Sequence, residues 1–132
     1  MTLVEIFDII LLNIREIKIM TIEVESINNG AIIRITGEVD LSVSPEMKEK
    51  ILGQIELNKK EHSFNIAKSV YADLSGVSYI DSSGIACLIQ SHQQAAKSGA
   101  NFYLFKTSEA VLKVIKLARL DSMFKLTDTI QE

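Results

Sequence analysis

Only one cysteine, Cys87, occurs in the chain, so an internal disulfide is excluded and the composition suits a reducing cytoplasm. Its position in a helical stretch reads as that of a small buried apolar residue. There are only two histidines, His62 and His92, and no His, Cys or acid pair at ligand spacing, so no metal site is expected. A glycine-rich phosphate loop and a Gly-x-Ser-x-Gly elbow are both missing, and no cofactor is expected. Nor is there an excess of positive charge. The 14 Lys and Arg residues are scattered among 17 acids, for a net charge of −3, which leaves no basic stripe for DNA or RNA. Long hydrophobic runs are absent too: the longest in the first twenty residues is 9–12, far short of the roughly 20 needed to span a bilayer. The acidic start lacks the positive region of a signal peptide, and a cytoplasmic location is expected.

What is present fits one compact domain, since 132 residues can hide roughly two-thirds of the extended chain's surface. Residues 1–19 read as an amphipathic extension to a domain over 20–132. Leu3, Phe7, Ile10, Ile14 and Ile17 recur in steps of four and three on one helical face. That face needs cover, either from the domain or from a second copy in a homodimer, unless Met20 is the true start.

Beyond Met20, alternation in residues 21–25, then Asn28-Asn29-Gly30 and the apolar 31–35, predicts a hairpin. Residues 37–40, Gly-Glu-Val-Asp, leave the second strand. Ser44 is read as the cap of a first helix running to about Leu57, with Pro45 at its first position. The polar stretch 58–69 reads as a surface loop. A third strand is expected over 70–74 and a second helix over 83–97, its apolar face carrying Ile85, Leu88, Ile89, His92 and Ala96, with Gly99 just beyond its end. A fourth strand over 101–105 follows. Thr107 or Ser108 then caps a third helix that buries Val111, Val114, Ile115 and Ala118, and 123–126 forms a weak last strand. A hairpin followed by strand–helix alternation predicts an α/β domain: a mixed sheet of four to five strands, parallel in its later part, with helices mostly on one face. Loops 37–40, 73–84 and 106–108 should then gather at one edge.

Residues 79–84, Tyr-Ile-Asp-Ser-Ser-Gly, are the most informative feature, because they put Ser82 and Ser83 where a buried strand gives way to an amphipathic helix. Free N–H groups and the positive end of the helix dipole favour added negative charge there, as for a phosphate. The same residues are also ordinary caps and turn formers. The tetrapeptide alone does not separate the two readings.

In series, the blocks Arg-Ile-Thr-Gly-Glu-Val-Asp (34–40), Asp-Leu-Ser-Gly-Val-Ser-Tyr-Ile-Asp-Ser-Ser-Gly (73–84) and Lys-Ser-Gly-Ala (97–100), with the tail 110–126, resemble the STAS domain family and, within it, the anti-sigma factor antagonists. The resemblance implies a bacterial regulator of transcription that acts by protein contact and is not an enzyme. Unphosphorylated, it would bind an anti-sigma factor that is itself a serine kinase; phosphorylated by that kinase, it would be released, and a PP2C-type phosphatase would reset it. Carried onto this chain, the target is Ser82, with Ser83 the second choice, and Asp40, Asp81, Ser83 and Gly84 form the partner-binding or switch region. The leader 1–19 and the long 58–69 stretch depart from the family pattern. The alternative within the same family is a scaffold or a subunit of a stress-signalling or transport complex.

An enzyme is the weaker alternative. His92 reads as a core-edge residue, and Asp73, at a strand end, lacks the adjacent acid that a metal-assisted phosphoaspartate or hydrolase site requires.

Overall fold

A computed structural model describes residues 1–16, 20–59 and 68–130, with side chains of the first segment described for residues 1–11. Most of the 58–69 stretch, with His62, and Ile17 of the leader's apolar face lie outside the described residues, as does the side chain of Ile14. The elements are α1 (Leu3–Glu16), β1 (Thr21–Ile27), β2 (Gly30–Val39), α2 (Ser44–Leu57), β3 (Ser69–Ile80), α3 (Ser82–Ser98), β4 (Asn101–Phe105), α4 (Glu109–Leu117) and β5 (Lys125–Thr127).

The five strands lie in sequence order, β1 antiparallel to β2 and all later neighbours parallel. A sheet that always grows in one direction through crossovers of one hand must put every crossover helix on the same side. The core has this form: Ile33, Ile35, Val70, Ala72, Leu74, Phe102 and Leu104 of the sheet meet Met47, Ile51 and Ile55 of α2, Leu88 of α3, and Val111 and Ile115 of α4. The α/β fold, the mixed sheet and the single helical face agree with expectation. The opposite face carries a smaller cluster of Ile32, Tyr71 and Phe105. There Tyr71 stacks on Tyr103 with ring centres 5.0 Å apart, and Arg34 bridges Glu25 (2.5 Å) and Asp73 (3.8 Å) across three strands.

The hairpin turn holds Asn28 and Asn29, with Gly30 already in β2 opposite Ile27. Gly30 has φ +146°, and a Cβ there would lie 1.7 Å from the Ser69 carbonyl oxygen, so neither the backbone nor the approach of β3 admits a side chain.

Four expectations need correction. β3 runs on to Ile80 instead of stopping at Leu74, because its second half pairs with the second half of β2: Gly37 with Val77, Glu38 with Tyr79, Val39 with Ile80. Two register shifts interrupt the pairing, which makes a bulged strand rich in Ser and Gly read as loop. Secondly, Ser44 is a buried residue inside α2; the cap position is Val43, which makes no side-chain cap, and the Asp40 carbonyl accepts from the N–H groups of Val43 (3.1 Å) and Ser44 (2.8 Å). Thirdly, α3 buries Gly84, Ile85, Cys87, Leu88, Ser91 and Ala95, so its inward stripe is rotated away from Ala96, which is exposed, and His92, which is half-buried. Finally, Ala118 is exposed at the end of α4. Ser108, not Thr107, caps that helix, accepting from the Val111 N–H at 3.3 Å.

Cys87 is buried on α3, and burial pushes its thiol up to about 11, with a smaller opposing contribution from a hydrogen bond with Ser91. Because the thiolate is the reactive form, native protein at pH 8 should react with a disulfide reagent orders of magnitude more slowly than the urea-unfolded chain. Equal rates in the two states would show that the thiol is open to solvent.

Candidate functional site

The last pairing of β2 with β3, Val39 with Ile80, is extended by one hydrogen bond, from the Asp81 N–H to the Val39 carbonyl at 3.0 Å. Asp81 is still extended (φ −100°, ψ −175°), which is cap geometry, and α3 starts at the next residue. Its Oδ1 accepts from the Ser83 N–H (2.9 Å), the Gly84 N–H (3.1 Å) and the Ser83 hydroxyl (2.5 Å). The Leu41 N–H lies near enough to this carboxylate to favour its ionised form. One side chain therefore joins the end of β3, the first turn of α3 and the loop leaving β2. The bond from the Ser83 hydroxyl, helped by the backbone donors of Gly84, Ser83 and Leu41, holds the Asp81 carboxyl below the usual carboxylate range, so it is ionised at neutral pH.

This arrangement separates the two serines. The Ser83 hydroxyl is half-buried and engaged with Asp81, whereas Ser82 is exposed at the first helical position. It also changes the expected role of the helix end. Two of the N–H groups anticipated as a seat for phosphate are taken by Asp81, so the positive end of α3 already holds an anion.

Asp40 follows β2 directly, beside this junction. Its Oδ1 accepts from the N–H (3.0 Å) and hydroxyl (2.5 Å) of Ser42, and Asp73 does the same for Ser75 (3.0 and 2.7 Å). Three Asp-x-Ser units thus make the same local bonds, one just after β2, one at the bulge within β3 and one at the start of α3. Two of them are the identical tripeptide Asp-Leu-Ser, at 40–42 and 73–75, a repetition that signals the shared side-chain-to-backbone bond and that the family blocks overshadowed.

Gly84 is fixed by packing. A Cβ there would stand 2.6 Å from Ile80 Cγ1 and 2.8 Å from Val39 Cγ1, so α3 starts in contact with the ends of both central strands. The structure thus brings Asp40, Asp81, Ser82, Ser83 and Gly84 to one place. The third loop is their neighbour, as expected, but lies farther back: Ser108 donates to the carbonyl of Val77 (2.7 Å), the partner of Gly37, three residues or about 10 Å of strand before Ile80. Two neighbours missed by sequence reasoning are apolar and exposed, Leu41 at 72% and Tyr79 at 51%. Leu41 follows β2 and Tyr79 lies near the end of β3, so both add exposed contact area near Ser82 of the kind that interfaces use.

His92 packs edge-on to Phe124 with ring centres 6.0 Å apart. Among the described residues no three His, Cys, Asp or Glu side chains are grouped to hold a metal ion.

The sequence pattern of the STAS domain matches residues 20–132. Among solved structures the chain is similar to an anti-sigma factor antagonist from Mycobacterium paratuberculosis, with 22% identity over 85% of this chain and 88% of that one and a TM-score of 0.70. It is also similar to the anti-sigma factor antagonist SpoIIAA in its unphosphorylated form (18% identity, 81% and 88% covered, TM-score 0.63). The Bacillus cell fate determinant SpoIIAA in the phosphorylated form gives 18% identity, 81% and 91% covered, and a TM-score of 0.59.

Two substitutions test the junction. Asp81→Ala should lower stability by about 0.5–2 kcal/mol, read as a shift in urea midpoint at unchanged slope. Because the Asp81 carboxyl is depressed in the folded state, its contribution is complete above the ordinary Asp value of about 4 and is lost as pH falls through the folded one, so the two proteins should converge in acid. Gly84→Ala reports on packing by its sign: an uncrowded helical site would gain about 1 kcal/mol, whereas the contacts with Ile80 and Val39 predict a loss of about 1–3 kcal/mol.

Proposed function

The chain belongs to the STAS domain family, and from that membership we propose that it is an anti-sigma factor antagonist switched by phosphorylation of Ser82. The observation that carries this reading is the contrast between the serines: Ser82 is exposed at the mouth of α3, while the Ser83 hydroxyl is engaged with the Asp81 carboxylate. Likeness to antagonists in unphosphorylated and phosphorylated forms supports it. In this reading the protein is a binding module and not a catalyst. The unmodified form docks on an anti-sigma factor serine kinase through the surface around Ser82, Leu41 and Tyr79. That kinase modifies Ser82 and so releases it, and a PP2C-type phosphatase restores the hydroxyl.

Phosphoserine carries about −1.5 to −2 charges at pH 7. Beside the ionised Asp81 it meets a helix end whose two nearest donors are already taken, so the new charge and bulk project toward the partner. A surface fitted to a neutral hydroxyl is then opposed by steric conflict and by desolvation of the dianion. A penalty of roughly 4 kcal/mol would convert a micromolar complex into a millimolar one.

Incubation with candidate serine kinases and ATP, followed by peptide mass spectrometry, should locate phosphate on Ser82. Phosphate on neither Ser82 nor Ser83 would reject the reading. Ser82→Ala should bind the kinase like the parent but resist release, and Ser82→Asp should bind at least tenfold more weakly. Amide chemical-shift changes on phosphorylation should stay within residues 39–44 and 79–86; shifts spreading to the hairpin at Asn28 and Asn29 would instead mean a change of fold.

A further inference from the structure

Helix α1 presents apolar surface that the rest of the described fold leaves exposed. Its start is set locally: the Thr2 hydroxyl accepts from the Glu5 N–H at 3.2 Å, and the Glu5 carboxylate accepts from the Thr2 N–H at 3.0 Å, a reciprocal capping box. Behind that cap, Leu3 (85% exposed), Phe7 (60%) and Ile10 (50%) form a seam flanked by exposed Val4, Ile6 and Leu11. At 3.6 residues per turn these six fall within an arc of about 160°, with exposed Glu5 and Asp8 on the other side.

A helix of 14 residues is marginal in water by itself, and in proteins such helices are stabilised by packing of the apolar face. Six large side chains, four of them at least half exposed, present several hundred Å². That is at the upper end of what a monomer ordinarily leaves open and approaches the roughly 800 Å² that each partner contributes to a standard interface.

We infer that this stripe is covered by the α1 helix of a second copy, so that the chain self-associates through its N-terminal helices. The spacing selects the occupant. Leu3, Phe7 and Ile10 stand four and then three residues apart, the d–a–d step of a helix–helix seam, and an identical stripe on a second copy is self-complementary about a twofold axis. A lipid surface fits less well. Among the described residues no helix is long and apolar enough to cross a membrane, and Glu5 and Asp8, on a chain of net charge −3, repel anionic headgroups. The inference does not depend on any role of Ser82.

Sedimentation-velocity ultracentrifugation of the full chain, from micromolar to hundreds of micromolar, should show a dimer or larger species growing with concentration. Phe7→Glu combined with Ile10→Glu should raise the dissociation constant at least tenfold. Both side chains are exposed in the single copy, so the urea midpoint measured at low concentration should not move. A parent chain that stays monomeric throughout the range overturns the inference without use of any variant. Undiminished association of the double variant also overturns it, placing the contact elsewhere. A monomeric parent that floats with phosphatidylcholine vesicles would assign the stripe to lipid instead.

Discussion

The Asp81 carboxylate is the interaction on which the candidate site depends. It receives two backbone N–H groups and a hydroxyl from the first turn of α3, lies near the Leu41 N–H, and belongs to a residue whose own N–H continues the ladder to Val39. Orphan donors at a helix start must find acceptors, and here a single ionised side chain satisfies them while tying a strand, a helix and a loop together. The exposure of Ser82 follows from this. The chain has to leave β3 and enter α3 within one residue, and the first helical residue is turned outward because the second and third are bonded back to the cap.

The sheet explains why this junction stands alone at its edge. Strands laid in sequence order put the crossover helices on one side and bring the ends of β2 and β3 together. β3 then continues past its pairing with β4, which ends at Asp73 and Phe105. The β4–α4 loop is fastened farther back, by Ser108 to the Leu74 and Val77 carbonyls. A partner approaching Ser82 therefore meets the tip of two strands and one helix, with Leu41 and Tyr79 as its exposed apolar groups.

Much of this was legible in the residues, for local reasons. The Asn-Asn-Gly turn, Gly99 in left-handed conformation (φ 72°) after α3, and β4 over Asn101–Phe105 follow from short-range chemistry and stand where expected. The second half of β3 was not legible, because Ser75, Gly76 and Ser78 carry no alternation. They belong to a strand only because their segment pairs, across bulges, with residues some forty earlier in the chain: Gly76 with Thr36, Val77 with Gly37 and Tyr79 with Glu38. Ser44 misled for a related reason: the run Ser-Pro-Glu has the form of a cap, but the Asp40 carbonyl already accepts the first N–H groups of α2, and Ser44 turns into the protein. At the site, the place of Ser82 and Ser83 was readable from the strand-to-helix change. What separates their hydroxyls was not, since it depends on the direction of one carboxylate.

The same carboxylate decides how a charge at Ser82 would be felt. Were the helix end unoccupied, a phosphate could fold back onto the N–H groups of Ser83 and Gly84, and the dipole would absorb it within the protein. Asp81 holds both donors, and Gly84 is pressed against Ile80 and Val39, so the turn cannot shift to offer others without parting the strand ends. The core beneath has no means of responding: Val39, Leu88 and Leu74 are fully buried and close-packed. Charge added at this position is therefore directed outward, and its energetic effect falls on whatever surface lies opposite. A rigid scaffold with a pre-filled anion seat is suited to a switch that works by obstruction and poorly suited to one that works by refolding.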